Sequence, residues 1–133
     1  MPKLVGFGAL MALPEEQVTE RIRRRILSGD QGMLVWWSIE AGVHVEPHNH
    51  PNEQIVWMLK GAMEFRLGTE QRICHKGDVL VVPGGVDHEA WFREDTEVID
   101  FFAPPRACHH GQAAGVSYMS WCEAKLAIAG RNL

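Results

Sequence analysis

Apolar residues in this chain recur in short bursts of four to eight, many alternating with polar positions, and most bursts end at glycine or proline. That period belongs to β-strands, whose successive side chains point to opposite faces. Strands at steady spacing with Gly and Pro turns predict an all-β antiparallel sandwich or barrel. Val18 to Leu27 (VTERIRRRIL) fits neither period cleanly and is read as one strand, ended by the turn Ser28 to Gly32. Met33 to Glu40 is almost continuously apolar, the pattern of a strand covered on both faces. Its Trp36 and Trp37 are expected at a homodimer interface or under the N-terminal arm. The runs IVWMLKG and AMEFRLG meet around Lys60 and Gly61 as a hairpin, and Val79 to Val82 reads as a buried run broken by Pro83, Gly84 and Gly85. In TEVIDFFA, Val98, Asp100 and Phe102 share one face. Beyond Arg106 a loop is followed by SYMSWCEAKLAIAG, which predicts a short C-terminal helix with Ser117 as N-cap and Gly130 as stop. Its stripe of Met119, Cys122, Leu126 and Ala129 is suited to packing on the outside of the barrel.

A length of 133 residues fits one domain. It divides into an N-terminal arm (1–17), a barrel (18–106) and a loop plus helix (107–133). The net charge of -4 offers no basic footprint for nucleic acid or an anionic membrane. Cys74, Cys108 and Cys122 are odd in number and irregularly spaced, which reads as free thiols in a reducing compartment, with cytoplasm the expected location. The apolar start reaches Pro14, Glu15 and Glu16 before a spanning length accumulates, and Lys3 alone makes a thin n-region, so an arm is expected in preference to a signal peptide. Arg23, Arg24 and Arg25 are expected on a solvated face, with a grip on an anionic substrate as the other use.

The coordinating chemistry gathers in Gly42 to Gly61, GVHVEPHNHPNEQIVWMLKG. On an extended strand His48 and His50 point the same way, and parity adds Gln54 to them while turning Glu53 aside; a bulge after Pro51 would reverse that choice. His88, after the break at Pro83, is the fourth donor. Three imidazoles and one oxygen suit a divalent transition metal ion: zinc, nickel, iron or manganese. His44 and His75 read as surface or supporting residues, and His109 and His110 beside Cys108 sit in a loop without further spaced ligands. Asp100 is out of place in an apolar strand unless it faces a polar cavity. Arg106, after two rigidifying prolines, is placed to reach back over the barrel mouth and clamp a carboxylate.

Gly42-x5-His48-x-His50, followed by an oxygen ligand and Gly61, resembles the first cupin motif, and Gly77-x5-Pro83-x-Gly85-x2-His88 matches the second. The resemblance implies a double-sheet jelly roll, the cupin double-stranded β-helix, with the metal in the barrel mouth. Phe92 departs from the pattern, standing where many cupins have asparagine, as does the use of Gln54 as oxygen ligand. HPNEQ with the later Asp-x-Phe-x-Pro-Pro-Arg is similar to the small single-domain cupins related to the pectin-degradation protein KdgF, over about Arg23 to Arg106. This second resemblance implies Asp100, Phe102 and Arg106 as active-site residues beside the metal, and conversion of a carboxylate-bearing 4,5-unsaturated uronate to its linear 4-deoxy-5-keto form. It leaves two alternatives: a polyketide cyclase or lyase using an enolate, with a wide apolar pocket to which Trp57, Met58 and Trp91 contribute, and a non-catalytic small-ligand module.

Overall fold

The computed structural model describes residues 5–106. Alternating apolar positions give ten strands. One antiparallel sheet holds β1 (Glu16–Thr19), β2 (Ile22–Ser28), β3 (Met33–Ile39), β10 (Thr96–Ala103), β5 (Glu53–Lys60) and β8 (Val79–Val82), in that spatial order. The other holds β4 (His44–His48), β9 (His88–Phe92), β6 (Ala62–Leu67) and β7 (Glu70–His75). The sheets face one another as a jelly roll. Val35, Trp37, Val56, Met58, Val98 and Phe102 from the first meet Val45, Met63, Phe65, Ala90 and Phe92 from the second, and all are buried. Burying that surface is what stabilises the barrel. Among the described residues the only helical element is a 3-10 turn at Leu10–Ala12; the expected C-terminal helix and the Cys108-His109-His110 cluster lie outside them.

Several strands differ from their sequence expectation for identifiable reasons. Val18 to Leu27 is not one strand. The chain turns at Glu20 and Arg21, where the Thr19 hydroxyl accepts from the Arg21 backbone N–H at 3.1 Å, and β1 folds back on β2. A side-chain oxygen offering the backbone a turn outweighs β-propensity there. Lys60 and Gly61 do not close a hairpin either, because β5 pairs with β10 and β8 while β6 pairs with β7 and β9. Gly61 is a corner between sheets: its φ is +86°, and a Cβ on it would stand 2.3 Å from the Asp95 carbonyl oxygen. Val79 to Val82 is not uniformly buried. Val79 and Val81 are exposed and Val82 is buried, since β8 is a sheet edge whose outer face no described residue covers.

Trp36 and Trp37 are buried within a single chain. Arg25 lies over the Trp36 ring and donates to the Leu13 carbonyl of the arm, and Arg24 lies over Trp37. The three arginines are also ion-paired, Arg23 and Arg25 with Glu15 and Arg24 with Glu16, so they brace the arm and β1 and do not face the barrel mouth.

Candidate metal centre

The mouth of the barrel is built by three chain segments clamped together. The Pro83-Gly84-Gly85 turn packs on the His50 to Asn52 loop: Gly85 N–H donates to the His50 carbonyl at 2.8 Å, and a Cβ on Gly84 would lie 2.3 Å from the Pro51 carbonyl oxygen. From the other side Asn52 Nδ2 donates to the Pro104 carbonyl at 2.6 Å, tying the loop to the segment that carries Arg106. The peptide bond between Ala103 and Pro104 is cis.

His48 and His88 are direct cross-strand partners on β4 and β9. Simple parity would put His44 on the same side as His48, yet the two face opposite ways. A register irregularity between Val45 and His48 intervenes, and His44 pairs with Trp91, stacks on its ring and bonds to Glu89 at 2.7 Å. A bulge re-aims a strand in this way.

The rings of His48 and His88 stand 4.2 Å apart and those of His50 and His88 4.9 Å apart. Each imidazole has its Nδ1 against a backbone carbonyl: Glu46 for His48 at 2.9 Å, Asn52 for His50 at 3.0 Å, Val86 for His88 at 2.9 Å. A carbonyl only accepts, so Nδ1 carries the proton in all three and Nε2 presents a lone pair. The three histidines offer ligand atoms that lie within 4.8 Å of one another. Backbone-oriented imidazoles with converging lone pairs are the usual preparation for a metal ion.

Gln54 points into the same space and is buried, whereas Glu53 is exposed. Gln54 Oε1 lies 2.9 Å from His50 Nε2. With His50 protonated at Nδ1, its Nε2 lone pair faces the Gln54 amide, which either donates to it through the amide Nε2 or, with Oε1 turned inward, forms with it a pair of acceptors suited to a cation. Burial first, and then the charges of Arg106 and His88, hold His50 down to about 4, so it is neutral and able to ligate at ordinary pH.

Asp100 is buried and lines one cavity together with His48, Gln54, His88 and Trp37. Phe102, fully buried, meets the edge of the His50 ring at 5.7 Å. Arg106, also fully buried, holds its guanidinium carbon 5.4 Å over the Phe102 ring. The structure therefore brings all seven sequence-derived site residues to one end of the barrel. Phe92 forms an apolar wall of the cavity, and Phe65 stacks on His88 at 5.8 Å. Trp57 and Trp91 point outward and Met58 sits in the core away from this cavity, so no wide apolar pocket forms from them. Sequence reading missed Asn52. Between Pro51 and a strand it reads as an ordinary turn residue, and its role emerges only from what it bonds.

This geometry defines a small metal-binding β-barrel with room for a divalent ion. The family model of the cupin domain matches residues 35–103, and the chain belongs to that family. Among solved structures it is similar to KdgF from Halomonas sp., with 30% identity and a TM-score of 0.73 over 80% of this chain and 99% of that one. It also resembles an RmlC-like cupin from Shewanella frigidimarina NCIMB 400 (23% identity, TM-score 0.76, 82% of this chain and 99% of that one). A variant of the oxalate decarboxylase of Bacillus subtilis matches at 16% identity and TM-score 0.65, over 73% of this chain and 29% of that one. The last two likenesses are of fold. No curated protein matches the sequence.

Proposed function

We propose that this cupin is a metal-dependent enzyme that converts a 4,5-unsaturated uronate monosaccharide into the linear 4-deoxy-5-keto uronate. The observation that carries the reading is Arg106, a fully buried guanidinium stacked over Phe102 and close enough to His50 to lower its pKa. A buried planar fork beside a site for a divalent ion suits a substrate that brings a carboxylate. The 30% identity to KdgF supports the same reading.

His48, His50, His88 and Gln54 are the proposed ligands, and the ion when bound would polarise a hydroxyl or carbonyl oxygen of the sugar. Arg106 binds the carboxylate and Phe102 packs on the ring. Asp100 accepts the proton of the anomeric hydroxyl as the C1–O5 bond breaks, leaving an aldehyde at C1 and an enolate over O5, C5 and C4. It then returns the proton to C4, which leaves the ketone at C5, so the reaction is an isomerisation with no co-reactant. The cavity beside the histidines measures about 30 Å³, room for a few waters but not for a sugar ring. A sugar ring would therefore sit outside it, at the barrel mouth beside Arg106 and Phe102.

Incubation of the metal-loaded protein with unsaturated galacturonate tests this. The ultraviolet absorbance of the conjugated double bond should fall faster than in a metal-stripped control. Tight binding of uronates with no turnover would instead assign the barrel to ligand binding alone.

A further inference from the structure

Arg106 is the residue on which the proposed carboxylate grip depends, and the segment that carries it has few ways of being held. Strand β10 makes its last pair with β5 at Ala103, opposite Glu53. Pro104 and Pro105 follow, and neither has a backbone N–H to donate. The segment is therefore anchored through its carbonyls and side chains. The Pro104 carbonyl, two residues before Arg106, accepts from Asn52 Nδ2 at 2.6 Å. A carbonyl only accepts, so this contact fixes which way round the Asn52 amide lies. Asn52 Oδ1 is then a buried acceptor with no hydrogen-bond partner among the described residues. A fully buried amide with an unused acceptor costs stability, so packing alone does not account for an asparagine at this position.

We propose that Asn52 is a positioning residue for substrate binding that acts through Arg106 and not through the metal, a role that rests on the carboxylate-binding function proposed for Arg106. Two parts of this one residue hold two parts of the site. Its backbone carbonyl accepts from His50 Nδ1 at 3.0 Å and keeps the Nε2 lone pair of that imidazole turned towards the other histidines. Truncating the side chain leaves that carbonyl where it is. Its side-chain amide holds Pro104, and with it the guanidinium that lies 5.4 Å over the Phe102 ring. A planar fork grips a carboxylate bidentately only when its plane is set beforehand, and a misplacement of about 1 Å forfeits much of the advantage. The loop between His50 and Asn52 is also clamped by Gly84 and Gly85, independently of the amide. Losing the amide therefore frees the Arg106 segment while His50 stays in place.

The test uses the full, metal-loaded chain, with steady-state kinetics on unsaturated galacturonate and calorimetric titration with saturated galacturonate, which brings the carboxylate without the reactive double bond. Asn52→Ala should raise both KM and the galacturonate Kd about tenfold or more, with kcat within about threefold of wild type and metal content unchanged. Asn52→Leu, which fills the space without a donor, should do the same and serves should Asn52→Ala not fold. In an Arg106→Ala background Asn52→Ala should shift Kd by less than about twofold, because its effect runs through the side chain already removed. Wild-type KM and Kd in both Asn52 variants, loss of metal from them, or a further loss of about tenfold in the absence of the Arg106 side chain overturns the positioning role. If wild type neither binds nor converts a uronate, the proposed function fails, and hydrogen exchange at the Arg106 Nε–H, assigned by NMR from its absence in Arg106→Lys, decides the positioning role separately. Exchange about tenfold or more faster in Asn52→Ala supports that role, and an unchanged rate overturns it.

Discussion

Gly84 and Gly85 sit side by side in the turn before His88, and the structure gives alanine different consequences at the two positions. At Gly85 φ is +81° and a Cβ would meet nothing within 4 Å. Gly85→Ala therefore incurs only the left-handed conformation, about 1–2 kcal/mol, with no neighbour displaced. At Gly84 the Cβ would stand 2.3 Å from the Pro51 carbonyl oxygen, a backbone atom. That is short of ordinary contact by about 1 Å, so Gly84→Ala must push the two loops apart, at about 1–3 kcal/mol. Either change alone lowers the melting temperature by several degrees, at about 3–5 °C per kcal/mol for a domain of this size. The metal separates them. Pro51 lies between His50 and Asn52, so the shift at Gly84 carries His50 away from His88, and a displacement above about 0.5 Å spoils a preorganised site. Chelator competition should show Gly84→Ala binding metal about 10–100-fold more weakly than wild type and Gly85→Ala within a few-fold of it. A Gly84→Ala protein with wild-type metal affinity, or a Gly85→Ala protein that loses as much, would refute the clamp.

Other consequences are open to measurement. His50 stands near 4 in the folded chain against 6.5 in the unfolded one, so between those values the unfolded chain takes up a proton that the folded chain refuses. Its contribution to stability of the metal-free protein is complete above about pH 6.5 and is lost as pH falls towards 4; urea midpoints should drop across that window, and the drop should shrink in His50→Gln. Asp100→Asn should lower kcat on an unsaturated uronate by about 10²–10⁴-fold with metal content unchanged. Arg106→Lys keeps the charge but loses the fork, and steady-state kinetics should show the larger change in KM. Asn52→Ala removes the donor to the Pro104 carbonyl at a fully buried site and should cost about 1–3 kcal/mol by thermal melts, whereas an unchanged melt would mean the tie is unimportant.

Strand alternation made the barrel legible in the sequence, and the inward set of Val98, Asp100 and Phe102 was readable from period alone. So was the preference for Gln54 over Glu53 inside the barrel. What escaped was set by geometry beyond the local period. A strand pattern does not reveal which sheet a strand joins, so β5 and β6 looked like one hairpin though Gly61 carries the chain between sheets. Parity also fails across an irregularity: it places His44 on the face of His48, and the chain turns the two opposite ways. Two valines in four consecutive apolar residues read as buried, but an edge strand has an open face and exposes them. Asn52 left no mark in periodicity, because its backbone carbonyl and its amide do the work at separate places.

Three imidazoles, from β4, the loop after it and β9, are proposed to hold one ion together with Gln54. Elemental analysis of protein purified without a histidine tag measures this directly. About one divalent transition metal ion per chain is expected in wild type, falling well below that in His48→Ala and in His88→Ala while both still fold. Full metal content in both variants would contradict it.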